Sequence, residues 1–427
     1  MRRDNIYQFK NHLTYIRRRH SIKTGVDVFR NLFNLQENNN LAGTFSITGG
    51  VTGNPVADFL LGQPSRFTQG SPGEPAFFRS TYAQPYIQDD FRINNRLTLN
   101  FGLRYELNLP VTERRNGMIA FRPGEKSQIY TNAPRGLLFQ GDPGVEQIVP
   151  TDKNNLAPRV GFAWDVFGDG KTSLRGGYGI YFDSLLGTLY GNFVTSTPFT
   201  VAVNAPAPRN FADPFSGASP FVGNLDPTTL FPNSLSLNVI DPNYESPDAQ
   251  QWNLTVQREI TKDFVVEASY VGTKGTHLPG TVVLNTAVFS PTATAQNVEQ
   301  RRPFAPAFGR ILNYQSTFNS NYHGLQLTAN KRFSRGFSFL AAYTFSKTID
   351  DGSFPTGRRA IGIGTIPQDQ KDLRNERGLS ALDARHRFVV SYLYELPFFR
   401  SQKGVLGKIF GGFQFNGITT IQTGRPI

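Results

Sequence analysis

The sequence predicts an all-β fold: an antiparallel transmembrane β-barrel, present as a partial wall of about twelve long strands. Three observations predict it. Apolar and polar residues alternate over stretches of about ten residues. These stretches come in pairs joined by short polar turns. Long segments rich in Pro, Gly, Asn, Asp and Thr separate one pair from the next.

In chain order, "FKNHLTYIR" and "HSIKTGVDVFRN" form the first pair. "IQDDFRI" (87–93) then joins "RLTLNFGLRYEL" (96–107) through Asn94-Asn95. In the second of these, Leu97, Leu99, Phe101, Leu103, Tyr105 and Leu107 are apolar, whereas Thr98, Asn100, Gly102, Arg104 and Glu106 are polar or glycine. "LAPRVGFAWDVF" (156–167) joins "TSLRGGYGIYFD" (172–183) through Gly168-Asp169-Gly170. "QWNLTVQREI" (251–260) joins "FVVEASYVG" (264–272) through Thr261-Lys262-Asp263. "GLQLTANKRF" (324–333) joins "FSFLAAYTFSK" (337–347) through Ser334-Arg335-Gly336. "HRFVVSYLYELPF" and "GGFQFNGITTIQ" close the series. Period two at this length means half-buried strands. The intervening segments, roughly 108–155, 184–247, 273–320 and 348–385, are expected to be loops.

Dimensions select a membrane. About 12 residues at about 3.3 Å each reach about 40 Å. Tilted by about 45°, such a strand climbs about 28 Å and covers an apolar band about 25 Å tall. Short turns alternating with long loops match short periplasmic turns and long extracellular loops. One face then meets outer-membrane lipid and the other a wet lumen. Tyr105, Phe182, Tyr270, Phe345, Tyr392 and Tyr394, near strand ends, suit the aromatic girdles at the interfaces.

Composition excludes other classes. The 427 residues contain no cysteine, so there is no disulfide framework and no thiolate site. The count of 37 Phe, 16 Tyr, 41 Gly and 28 Pro is that of strands and turns. The net charge of +12 comes from dispersed Lys and Arg, without the basic–aromatic interleaving of a nucleic-acid surface. No run approaches the 18 apolar residues of a spanning helix. The N-terminus, "MRRDNIYQFKNHL", has no apolar core of a secretory signal.

At these residues the chain resembles a known family. "YAQPYIQDDFRINNRLTLNFGLRYEL" (82–107) is similar to part of the barrel of TonB-dependent outer-membrane receptors, and more narrowly of their Oar-like group. So are "VADFLLGQPS" (56–65), "NLAPRVGFAWDVFGDGKTSLRGGYGIYFD" (155–183), "SYVGTKGTHL" (269–278), "NYHGLQLTANKRFSRGFSFLAAYTFSKTIDD" (321–351) and "ALDARHRFVVSYLYELPF" (381–398). The resemblance implies localisation in the cell outer membrane and a barrel of about 22 strands around a plug. It also implies energy-coupled import of a large ligand, driven through the plug by the TonB system. The chain is expected to be one partial barrel domain over 1–427, without plug or signal peptide.

No covalent chemistry is expected. "GDGKTS" (168–173) lacks the first Gly of a phosphate loop, since position 165 is Asp, and lies between strands. The five histidines show no metal spacing, and no Ser sits in a nucleophile elbow, so no catalytic residue, metal or cofactor is expected. Asp89 and Asp90 are strand neighbours and face opposite ways. Asp350-Asp351 is read as a solvated turn rather than a Ca²⁺ site. The candidate lumen-facing or ligand-binding residues are Asn100, Arg104, Glu106, Arg175, Glu267 and Lys331. Loop arginines Arg209, Arg301, Arg302, Arg358 and Arg359 are candidates for contact with lipopolysaccharide or ligand. A passive barrel and a soluble carbohydrate-binding β-protein are the alternatives.

Overall fold

The computed structural model describes residues 2–426 except 37–39, 71–74, 185–198, 200–201, 207, 209, 216–226, 228–230, 232, 295–296, 353–365, 371 and 399–402. Twelve strands form the wall: β1 (Arg2–Arg17), β2 (His20–Leu35), β3 (Ala76–Arg92), β4 (Leu97–Tyr105), β5 (Leu156–Asp165), β6 (Thr172–Phe182), β7 (Asp248–Thr261), β8 (Phe264–Val283), β9 (Phe308–Ser334), β10 (Phe337–Asp350), β11 (His386–Glu395) and β12 (Gln414–Gln422). Each pairs antiparallel with its neighbours in sequence order. All six expected hairpins form, in the expected order. Among the described residues, β1 and β12 each have one partner, so the sheet is open along these two edges.

The turns follow from their residues. Arg335 (φ 52°) and Gly336 (φ 81°) between β9 and β10 both take the left-handed conformation that matches the twist of a two-residue hairpin. Between β5 and β6, Asp165 accepts the amides of Gly168 (2.9 Å) and Gly170 (3.0 Å). This makes "GDGKTS" a hairpin turn. Between β3 and β4, Asn94 accepts the amides of Arg96 and Leu97.

Register aligns the apolar positions into rows across strands. Phe101 pairs with Val160, Val160 with Tyr178, and Tyr178 with Trp252. Leu254 pairs with Tyr270, Tyr270 with Leu325, and Leu325 with Phe345. Phe101, Val160, Leu254, Tyr270, Leu325 and Phe345 are all between 41 and 48% exposed. An exposed apolar face of this extent needs a lipid solvent. Rings on this face cover cross-strand glycines: a Cβ on Gly272 would collide with the Trp252 indole, and one on Gly176 with the Phe162 ring.

The expected loops are less open than their sequence implies. β8 runs on to Val283 and β9 begins at Phe308, so much of 273–320 is strand that projects beyond the membrane. Leu235–Ile240 adds parallel to the start of β9. Ile119–Phe121 and Leu137–Phe139 form a small hairpin within 108–155. Together these elements build an extracellular cap around Met118, Ile119, Leu137, Phe139, Leu237, Ile311 and Tyr314, all at most 1% exposed. The largest buried side chains lie here, on the loop elements and on the upper ends of β3 (Phe78) and β9 (Ile311, Tyr314), whereas the membrane part of the wall has lipid on one side and the lumen on the other. A second outer layer holds a three-stranded sheet (Thr44–Ser46, Arg66–Gly70 and Ala202–Pro206) and a short helix, α1 (Pro55–Leu60). A further short helix, α2 (Gly404–Phe410), precedes β12.

Candidate functional site

The inner face carries the complementary rows. In one, Gln88 pairs with Gly102, Gly102 with Arg159, Arg159 with Gly179, and Gly179 with Gln251. In the next, Asp90 pairs with Asn100, Asn100 with Gly161, Gly161 with Gly177, and Gly177 with Asn253. Four glycines thus lie side by side on β4, β5 and β6. They leave a depression of about 270 Å³, rimmed by Gln88, Asp90, Asn100, Arg159, Gln251 and Asn253.

The rim is polar and partly committed. Asn100 Nδ2 donates to Asp90 Oδ1 at 2.7 Å. The Arg159 guanidinium lies 4.6 Å from the centre of the Tyr181 ring. Its Nε is buried without a hydrogen-bond partner among the described residues. A buried unpaired donor costs free energy of order 1–3 kcal/mol, which an incoming acceptor recovers. Beside the depression, Arg104 Nη2 reaches over Tyr86 to Asp27 Oδ2 at 2.8 Å, tying β4 to β2 across β3. The wall therefore offers amide groups, two carboxylates and two guanidinium groups around a bare backbone floor. Such a set is suited to hydrogen bonding with polar groups of a chain or ligand.

The candidates named from sequence do not form one cluster. Asn100 and Arg104 sit at the depression and its flank. Glu106 lies just beyond β4, 6% exposed, within electrostatic reach of Arg104 and Arg159. Arg175 is inward-facing on β6, pairs in register with Ala163 and Thr255, and donates from Nε to Ser173 Oγ at 3.1 Å. Glu267 is inward-facing on β8, in register with Gln257 and Thr328. Lys331 is a correction: it pairs with Phe264 and Phe339 on the outer rows, not the lumen rows. The cation is tolerated there because it lies by the periplasmic turn, where its Nζ binds Asp263 Oδ2 at 2.6 Å.

Sequence reasoning missed Gln88, Asp90, Arg159, Tyr181, Gln251, Asn253 and Asp27. The available signal was glycine at inward positions of three successive strands, which register alone brings together. Asp89 and Asp90 do part company: Asp89 binds His20 at 2.6 Å, and Asp90 binds Asn100. Asp351 accepts the backbone and side-chain nitrogens of Asn319. Arg302 is bound to Glu299 at 2.9 Å, and Arg301 to the Val288 carbonyl. Arg209, Arg358 and Arg359 lie outside the described residues. Among the described residues, no group of three or more His, Asp or Glu is placed to hold a metal ion.

In the cap, Asp142 organises the hairpin. Its carboxylate accepts the amides of Gln128 (2.8 Å), Ile129 (3.1 Å) and Phe139 (2.8 Å). Burial pushes this carboxyl up, but the three amides and Ser127 outweigh it and hold it below the ordinary carboxylate range. At the turn between β7 and β8, Lys331, then Ser334 and Thr261, hold the Asp263 carboxyl well below that range.

A family model for an outer membrane beta barrel domain matches residues 1–427. The structure is similar to that of the outer membrane transporter YddB from Escherichia coli, with a TM-score of 0.55 at 10% identity over 99% of this chain and 47% of that one. It is also similar, at a TM-score of 0.45 and 12% identity, to the pyoverdine outer membrane receptor FpvA from Pseudomonas aeruginosa, over 98% of this chain and 41% of that one. The chain thus spans less than half of either solved chain. Among curated proteins, no sequence matches it.

Proposed function

Given that the chain belongs to the outer membrane beta barrel domain family, we propose that it supplies wall and extracellular cap to a receptor for energy-coupled uptake of a large ligand. The setting is the outer membrane. The observation that carries the proposal is the division of labour between the two faces. The outer rows are apolar over most of their height, with charged residues such as Asp89, Lys331, Lys274 and Lys347 toward their edges. The inner rows are polar, with a glycine-floored depression and an unpaired guanidinium nitrogen on Arg159. A wall of this kind suits a lumen occupied by a hydrogen-bonding partner, as a plug would be, rather than by bulk water alone. The ordered cap suits ligand capture, because its core fixes the loops that would close over a large solute. Asn100, Arg104, Glu106, Arg175 and Glu267 are proposed to face plug or ligand from the inner side. The coupling partner would be the TonB system, acting through a plug.

The test is genetic and physical. The encoding gene is deleted and complemented in its own host, and uptake of candidate siderophores, glycans and peptides is followed with and without TonB. A ligand whose uptake needs both the gene and TonB supports the proposal. Uptake that needs the gene but not TonB assigns a passive barrel instead.

A further inference from the structure

The outer face carries a second pattern at its upper edge. Lys274 on β8 lies 11 residues past Asp263, His323 on β9 lies 11 before Ser334, and Lys347 on β10 lies 11 past Gly336. About 36 Å of strand at about 45° tilt climbs about 26 Å, the height of the apolar band. All three residues therefore stand where the hydrocarbon of the outer leaflet gives way to head groups. All three are exposed. Register places them together on the outer rows: His323 pairs with Lys347, and Lys274 pairs with Asn321, two residues from His323.

The cluster is preorganised. The Tyr270 hydroxyl and His323 Nδ1 are hydrogen-bonded at 2.7 Å, and the two rings are nearly parallel. With Tyr270 as donor, the remaining imidazole N–H is on Nε2, free to donate. The Trp252 ring flanks His323, with centroids 5.9 Å apart. Neither lysine has a carboxylate within 4.0 Å among the described residues, whereas Lys331 at the lower edge is paired with Asp263. The outer-row carboxylate of Asp248 is already engaged by Thr276 and His277. The upper edge thus presents two unneutralised ammonium groups and an imidazole toward the outer leaflet.

We infer that Lys274, His323 and Lys347 form a docking site for the phosphate groups of an outer-leaflet glycolipid of the lipid A type. The charge fits the phosphates, the height fits the head groups, and the aromatic rings below fit the start of the acyl region. The site is on the lipid side of the wall, so it is independent of whatever the lumen takes up.

The test uses the full-length protein purified from outer membranes, stripped of lipid and presented with bisphosphoryl, monophosphoryl or phosphate-free lipid A. Lipid retained per barrel is read by native mass spectrometry. We expect one bisphosphoryl lipid A per barrel, and retention weakened at least about tenfold when phosphate is removed. The same loss is expected for the double variant Lys274→Gln/Lys347→Gln, with Lys274→Arg/Lys347→Arg retaining the lipid. Lys262→Gln, in a periplasmic turn, should change nothing. Equal retention of phosphate-free lipid A by the unaltered protein would overturn the inference, with no variant needed. So would binding of inorganic phosphate with no lipid A retained.

Discussion

Replacing Leu254 by arginine should cost far more than placing the same arginine one residue earlier. Leu254 is on the outer row, 48% exposed, between Gly176 and Tyr270. It lies 7 residues above the end of β7, close to half the height of the wall. A guanidinium at mid-depth on the lipid face costs about 2–4 kcal/mol. That shifts the folding equilibrium by a factor of roughly 30 to 900. Asn253 faces the depression on the inner side, where an added cation meets water, Asp90 and amide groups, so Asn253→Arg should cost within about 0.5 kcal/mol. The assay is reversible urea unfolding of the full-length protein from lipid vesicles, followed by tryptophan fluorescence. Equal losses for the two variants, or no loss for Leu254→Arg, would refute the assignment of faces.

Four other outcomes follow. Asp27→Asn and Arg104→Gln should each destabilise the wall by about 1–3 kcal/mol, and the double variant by less than their sum, since the lone partner is left half-buried; a double-mutant cycle by urea unfolding measures this. Because the folded Asp263 carboxyl sits below its ordinary value, its contribution is present above about pH 4 and is lost as pH falls through the depressed value; Asp263→Asn should flatten that acid limb, read as stability against pH. Asp142→Asn should raise hydrogen exchange in the 119–149 cap by the loss of charge-assisted amide bonds, about 1–3 kcal/mol of local protection, and leave the wall amides unchanged. Gly272→Val should cost about 1–3 kcal/mol in urea unfolding by displacing the Trp252 ring, with a shifted tryptophan emission.

The wall was legible because its two signals are local. Alternation names the strands, and turns such as Arg335-Gly336 name the pairs. The cap was not legible, because its order comes from contacts far apart in sequence. Leu237 and Ile311 meet only after Leu235–Ile240 adds to β9, and Asp142 collects amides from the connection of its hairpin and from its second arm. Neither leaves a period in the 108–155 or 184–247 segments. The depression was hidden for a related reason: Gly102, Gly161, Gly177 and Gly179 are unremarkable singly and adjacent only in register. Asn100 and Arg104 could be named from sequence because they are polar on a strand with clean alternation. Lys331 was misplaced because parity competes with charge near a strand end. At the hairpin the outer face has left the hydrocarbon, and Asp263 neutralises the cation there.

The natural absence of cysteine makes one direct measurement possible. Single cysteines are introduced at each position from 97 to 105, the full-length protein is refolded into vesicles, and each thiol is tested with a water-soluble reagent and a lipid-dissolved quencher. A lumen on one side and lipid on the other requires strict alternation: positions 98, 100, 102 and 104 react from water, and 97, 99, 101, 103 and 105 are quenched from lipid. Uniform reactivity from water along the whole strand, with no quenching from lipid, would show that this strand does not line a membrane barrel.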